Sequence, residues 1–343
     1  MASPSLESIL TRAWLRRGPL ALALWPLALL FRLLAALRAL FYRLGWRRRT
    51  RLPVPVIVVG NIFIGGTGKT PLTIWLAEAL GAAGLRPGVI SRGHGGAQSS
   101  PREVRPDSDP RELGDEPLLI AGRTGCPVFV GRRRAEAGRA LLEAHPEVNV
   151  LITDDGLQHT ALARDIEIVL FDGRGVGNGW LLPAGPLREP PSRRRDFTVI
   201  NAPAITPALA QAVGGHPFQM RLVGEFAAPL ARPGARLPLQ ELIGKRIVAA
   251  AGIGNPGRFF AMLRGAGLSI GELPLPDHHD FLDRPFDAVD ADVILITEKD
   301  AVKCRQLDNL KDDPRLWVVP VTAWIDPALA EQIVEKCRGR STA

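Results

Sequence analysis

A parallel β-sheet flanked by helices, the α/β class, follows from three observations in this 343-residue chain. Short β-rich runs alternate with helix-like stretches from residue 54 onward, a glycine-rich junction, Gly65-Gly66-Thr67-Gly68-Lys69-Thr70, stands between one strand and one helix, and a single apolar stretch precedes them all. Such alternation gives parallel strands joined by crossover helices, with ligands outside the strands' carboxyl ends. At 46% apolar residues the chain can bury cores in two lobes.

The apolar stretch comes first. Residues 19–31 are all apolar or proline, and the pattern continues through 33–42 around Arg32 and Arg38. The uncharged run is shorter than the about 20 residues that span a bilayer core of roughly 30 Å. Arg12, Arg16 and Arg17 stand before it, and Arg43, Arg47, Arg48, Arg49 and Arg51 after it. Cationic flanks prefer the cytoplasmic side. A helix kinked near Pro26 and embedded from that side, its arginines on anionic headgroups, therefore fits better than a span. Two other readings fit the pattern: a signal peptide, although no small-x-small cleavage site follows, and a buried core helix. Residues 1–51 hold ten arginines and one glutamate, so the rest of the chain, within an overall +8, sums to −1. No basic stripe crosses a folded domain, and nucleic acid is not an expected partner. Cys126, Cys304 and Cys337 form no C-x-x-C pair, which fits a reducing compartment. Residues 1–50 are expected to anchor the protein and to take no part in chemistry.

After a linker, the strand 54–59 leads through the glycine loop into the helix 71–82. Glycines let the backbone fold around phosphates, with N–H groups and the helix dipole aimed at them. Lys69 would reach the β and γ phosphates and Thr70 would hold Mg²⁺. The strict spacing places glycine at position 63, where this chain has Phe63, so the loop Phe63, Ile64, Gly65, Gly66, Thr67, Gly68, Lys69, Thr70 is a variant. A plain glycine-rich turn is the alternative. The core predicted is thus like that of P-loop NTPases, with ATP and Mg²⁺ as cofactors.

Further strands are expected at 88–91, 127–130, 148–153, 166–171, 197–200, 246–251, 293–297 and 317–321. Asp154 and Asp155 close the run 148–153, where a Walker B aspartate holds Mg²⁺; two turn-forming aspartates would read alike. Arg188 and Glu189 end the Pro- and Gly-rich loop 181–189, with Arg188 suited to a paired grip on phosphate. A surface ion pair would look the same. Gly114-Asp115-Glu116-Pro117 and Asp277-His278-His279-Asp280 offer acid–base groups, the double histidine also admitting a zinc site. Thr297-Glu298-Lys299-Asp300 is close to a guanine-selecting motif, but its Lys and Asp are adjacent, which favours ATP. Proline and glycine thicken at 229–238, marking a boundary between a core, 51–238, and a smaller C-terminal α/β lobe, 239–343.

Taken in order, Val59-Gly60-Asn61 with the glycine loop and Pro71, Ser91-Arg92-Gly93, Gly114 to Pro117, Asp154-Asp155-Gly156-Leu157-Gln158-His159, Leu187-Arg188-Glu189, Asp277-His278-His279 and Thr297 to Asp300 resemble the tetraacyldisaccharide 4'-kinase family over nearly the whole chain. The resemblance implies a membrane-associated kinase moving the γ-phosphate of ATP to the 4'-hydroxyl of a tetraacylated glucosamine disaccharide 1-phosphate. It implies Asp115 as the base, His278 as its orienting partner, Lys69, Arg188 and Glu189 near the phosphates, and Thr70, Asp154 and Asp155 around the metal. With the basic apolar anchor, the expectation is work at the inner leaflet, on the cytoplasmic face of the inner membrane, and no obligate protein partner is inferred. His94 and Gly96 depart from the family's usual Tyr and Arg. The rivals are a membrane-tethered NTPase switch and a small-molecule kinase, the latter having no use for the first 50 residues.

Overall fold

The computed structural model describes residues 13–93 and 100–339. Helix α1 (Pro19–Arg43) leads the chain and passes through Pro26 without interruption. Leu22, Leu27, Leu30, Leu33 and Leu34 are each more than half exposed, while Ala21 and Ala28 are its buried positions. A core helix would bury those leucines, so that reading fails. By length and composition, α1 is long and apolar enough to cross a membrane.

The chain then builds a nine-stranded sheet. Its first elements are β1 (Val56–Gly60), α2 (Lys69–Ala82), β2 (Pro87–Ser91), β3 (Arg102–Glu103), α3 (Pro110–Leu113), α4 (Asp115–Thr124), β4 (Val128–Val130) and α5 (Arg134–Ala144). They are followed by β5 (Val150–Thr153), β6 (Ile166–Asp172), β7 (Phe197–Asn201), α6 (Pro207–Val213) and β8 (Phe218–Val223). Strand β1 lies between β5 and β6 and pairs with both in parallel. Every residue of β1, β2, β5 and β7 is buried. Such unbroken apolar strands belong to parallel sheets covered on both faces. Leu72, Leu76 and Leu80 of α2 cover one face with Ile57 and Val59, and Leu141 of α5 joins Val58 and Leu151 on the other.

A second, six-stranded sheet contains β9 (Phe226–Pro229), β10 (Leu237–Pro238), β11 (Ile247–Ala251), β12 (Ile270–Pro274), β13 (Val293–Thr297) and β14 (Leu316–Val319). Helices α7 (Pro256–Gly265) and α8 (Glu298–Cys304) follow β11 and β13. The chain then returns: β15 (Thr322–Ile325) pairs antiparallel with β8 of the first sheet, and α9 (Ala328–Arg338) lays Leu329 and Ile333 into that sheet's core.

Each run read as a strand from the sequence is a strand. Those not foreseen are β3, β8, β9, β10, β12 and β15, short or peripheral segments whose apolar pattern is weak; β12, an edge strand, has no buried residue. Sheet membership also shifts the composition-based boundary near residue 238. The second sheet begins at Phe226, and the last strand and helix belong to the first because their apolar faces complete its core.

Candidate active site

Strand β1 delivers the phosphate-loop segment and α2 carries it away. Gly65 and Gly68 have φ of +95° and +99°, a region that favours glycine, and a Cβ on Gly68 would lie 2.6 Å from Asn201 Nδ2. Asn61 donates to the Phe63 and Gly65 carbonyls at 2.6 and 3.1 Å, while its Oδ1 accepts from Lys69 Nζ at 3.3 Å. Asn201, ending β7, donates to the Thr67 carbonyl at 2.9 Å. The departure at Phe63 has a physical reason. Its buried ring lies under the Arg174 guanidinium, 4.2 Å from the centroid, and its backbone bridges to Leu187. Ile64 N–H donates to the Pro186 carbonyl at 2.9 Å and Arg188 N–H to the Ile62 carbonyl at 2.7 Å, so the loop bearing Arg188 is seated on the phosphate loop.

Beyond β5, Asp154 is buried and accepts from Thr73 Oγ1 at 3.2 Å. Burial, with the charges of Glu116 and Asp155, pushes its pKa well above the carboxylate range against the pull of Lys69. Asp155, at φ +48°, has Oδ2 3.4 Å from Arg188 Nη1 and Oδ1 3.8 Å from Lys69 Nζ. Lys69, Asp155 and Arg188 therefore converge, with Thr70 in the first turn of α2. Glu189 turns elsewhere: it accepts from Gln158 Nε2 at 3.0 Å and pairs with Arg193, which also holds Glu167. Buried Arg134, a residue the sequence reading did not single out, donates to the Asp154 carbonyl at 3.3 Å. Its one signal was the Arg132-Arg133-Arg134 run at a strand's end. His159 stays neutral, lowered to about 4 by burial and by Arg134 and Arg92.

The Asp115–His278 pair forms across the two sheets. Asp115 begins α4 and is 4% exposed; His278, at φ +60°, lies in the turn after β12. His278 Nδ1 is 3.1 Å from Asp115 Oδ2, Lys303 Nζ of α8 is 3.1 Å from the same oxygen, and Glu116 N–H donates to Oδ1 at 2.9 Å. Burial alone would raise the Asp115 pKa, but the His278 hydrogen bond and the Lys299 and Lys303 charges outweigh it and hold the carboxyl well below its usual range. The same hydrogen bond raises the His278 pKa against partial burial and the Lys299 charge. Lys299 bridges Glu116 and Asp277, at 3.3 Å to each. His279 is occupied within its own turn, accepting from Phe281 N–H at 3.1 Å and pairing with Asp283 at 3.3 Å, which leaves the zinc reading without its second histidine.

The two halves meet closely. A Cβ on Gly254, in the turn after β11, would lie 3.1 Å from Gly66 N and 3.1 Å from Asp277 Oδ2. Arg258 of α7 reaches the Thr67 carbonyl at 3.4 Å and buried Asp172 at 3.1 Å. The Thr297 to Asp300 motif supports this turn: Asp300, buried and capped by Thr297 Oγ1, accepts from Gly252 N–H at 3.1 Å. Glu298 accepts from Arg123 at 2.7 and 2.8 Å and from Val321 N–H at 3.1 Å. The phosphate loop, the acidic pair and the Asp115–His278 pair thus lie along one junction between the two sheets.

Helix α1 is tied to loops of the first sheet at both ends. At its foot, Trp14 Nε1 donates to the Pro183 carbonyl at 2.9 Å, Asn178 N–H donates to the Trp14 carbonyl at 2.8 Å, and Arg17 Nε donates to the Asn178 carbonyl at 3.1 Å. Arg38 donates to the Gln158 carbonyl at 3.3 Å from the other end. The segment expected only to anchor thus touches the loop that continues into Arg188. His94 and Gly96 lie outside the described residues.

The family model described as tetraacyldisaccharide-1-P 4'-kinase (LpxK) matches residues 20–338. A tetraacyldisaccharide 4'-kinase of Herminiimonas arsenicoxydans is 61% identical, covering 99% of this chain and 98% of the relative. Another, of Janthinobacterium sp. (strain Marseille), is 60% identical over the same shares. The crystal structure of LpxK from Aquifex aeolicus in complex with ATP superposes with a TM-score of 0.76 at 28% identity, over 92% of this chain and 99% of that one.

Proposed function

Because this chain belongs to the tetraacyldisaccharide-1-P 4'-kinase family, we propose that the junction between its two sheets is where ATP meets the lipid acceptor. The enzyme is an ATP-dependent kinase of lipid A biosynthesis that phosphorylates the 4' position of a tetraacylated disaccharide 1-phosphate. The observation carrying the site reading is the joining of Asp115 to His278 beside the phosphate loop, from positions far apart in the chain.

In this reading the loop N–H groups and Lys69 cradle the β and γ phosphates. Asp115 takes the proton of the 4'-hydroxyl as its oxygen bonds to the γ-phosphorus, and the bond from that phosphorus to the bridging oxygen of ADP breaks. His278 orients the carboxylate. Arg188, released from Asp155, meets the charge that develops on the transferred group. Glu189 acts on Gln158 and Arg193 rather than on phosphate.

The residues fit Mg²⁺. Asp154 is a buried carboxyl short of positive charge, and Thr67 Oγ1 and Asp155 Oδ1 are buried without hydrogen-bond donors. Thr70 with Asp154 or Asp155 would hold the ion, few protein ligands being usual for Mg²⁺ beside phosphates. When bound it would neutralise β and γ oxygens.

The exposed leucines of α1 and its flanking arginines support association with the inner leaflet on the cytoplasmic face, where an acyl-chain substrate resides. The proposed units are an anchor, 1–50, a phosphate-loop sheet, and a second sheet that brings His278 and Lys303 to it. The test is the product: with ATP and the lipid disaccharide the enzyme yields phosphorylated lipid, whereas release of free phosphate alone would identify an NTPase switch.

A further inference from the structure

Asp115 is held by more than its histidine. Its Oδ1 accepts from its own helix at Glu116 N–H, and its Oδ2 faces both His278 Nδ1 and Lys303 Nζ, each at 3.1 Å. Lys303 is 9% exposed at the side chain, on a stretch of α8 where Ala301 and Cys304 are buried, with its ammonium 5.6 Å from the Phe281 ring. An ammonium in such surroundings is costly unless it is paired with a carboxylate.

The neighbouring lysine has other partners. Lys299 stands one turn before Lys303 and is shared by Glu116 and Asp277. Glu116, Asp277, Lys299, Lys303 and His278 are the charged groups facing Asp115 from α4, the turn after β12 and α8. Of the two lysines, Lys303 is the one that pairs with Asp115 itself.

We propose that Lys303 is a positioning residue for phosphoryl transfer, its buried ammonium, 3.1 Å from Oδ2, fixing the orientation of the Asp115 carboxylate that receives the acceptor proton. The inference rests on Asp115 being the base. Burial on its own would raise the pKa of that carboxyl, and a cation within about 4–6 Å acts in the opposite direction. Two hydrogen bonds, from His278 and Glu116 N–H, together with the Lys303 ion pair on the oxygen that His278 faces, also restrain the carboxylate from rotating. The added charge weakens the base, yet a loose phosphoryl-transfer transition state asks little of it. The Thr297-to-Asp300 motif and Lys303 thereby share one helix with two tasks: Asp300 holds the turn against the phosphate loop, and Lys303 conditions the base.

The test uses full-length enzyme with the lipid disaccharide in mixed micelles, following kcat, both KM values, the pH profile of kcat/KM and Tm for Lys303→Met, Lys303→Arg and Asp115→Asn. Lys303→Met is expected to lower kcat roughly tenfold or more at neutral pH, with KM for ATP within about twofold, and to move the acid limb of the profile upward by about one pH unit. Lys303→Arg should restore most of both. If Lys303→Met does not fold, Lys303→Gln reads the same shift. An acid limb that stays in place, or losses that simply follow Tm, overturns the inference. Asp115→Asn separates the two levels. An active Asp115→Asn enzyme removes the base reading and this inference with it, whereas an inactive one beside an unmoved Lys303→Met profile removes Lys303 alone.

Discussion

Lys69 has Asn61 Oδ1 at 3.3 Å and Asp155 at 3.8 Å, a geometry from which it can turn to phosphate at little cost. Lys69→Ala should lower turnover about 10²-fold or more, because that charge acts where the transition state gains negative charge. Near-normal turnover at saturating ATP would exclude the role. Asp115 and His278 should act as a unit, so Asp115→Asn, His278→Gln and the double variant should each lose roughly 10² to 10⁴ in kcat, with strictly additive losses counting against the pair. Their stability effect has a definite sign. The folded Asp115 pKa lies below its ordinary 3.8, so its contribution is present above that value and lost as pH falls. The folded His278 pKa lies above its ordinary 6.5, so its contribution is full below 6.5 and lost as pH rises through the folded value. The Tm difference between the native chain and His278→Gln should therefore be largest between about pH 4 and 6.5, and a flat difference would show no such linkage. Lys69, Thr70, Asp154 and Asp155 were legible because each sits where a strand or loop ends. Asp115 and His278 were joined only by family resemblance, and Lys303 and Arg134 not at all, since their partners come from packing between elements remote in sequence.

At the scale of elements, two turns press on each other: the glycine loop after β1 and the turn after β11. Gly254→Ala would place a methyl 3.1 Å from the backbone nitrogen of Gly66. Backbone cannot yield as a side-chain tip can, so the loop should shift by a few tenths of an ångström. The expected result is a loss of roughly tenfold in kcat/KM for ATP with little change in Tm; unchanged kinetics would mean that the two turns do not share the nucleotide site. Sequence patterning was reliable for the buried parallel strands, whose apolar runs have no polar face. It failed at the sheet margins. Strand β12 carries Gly271, Glu272 and Pro274, and β15 alternates exposed and buried residues over only four positions, so neither stands out from a loop.

Across the whole molecule, the chain's end stabilises its beginning. Ending the chain after Pro320 removes β15 and α9, leaving β8 unpaired on one side and the core around Leu222 and Met220 open. Such a protein should melt at least about 10 °C lower or fail to fold; a truncated chain with unchanged Tm would make the second sheet's exit point the true domain end. Composition marks the exit near residue 238 but not the return to the first sheet, because a lobe that leaves and returns has no linker to mark its return. Trp14, Arg17 and Asn178 bolt the apolar helix to the loop that runs on into Arg188, so if the helix enters the bilayer as proposed, the site would be held at a set height and bearing to it rather than swinging on a leash. In that proposed arrangement, an acceptor held at the headgroup plane by its acyl chains would arrive by lateral diffusion, a search in two dimensions. Rate should follow the mole fraction of acceptor in the surface. Diluting the lipid disaccharide with inert phospholipid, at constant bulk amounts of enzyme and acceptor, should slow turnover in proportion, and a rate indifferent to that dilution would mean that the enzyme draws its acceptor from solution.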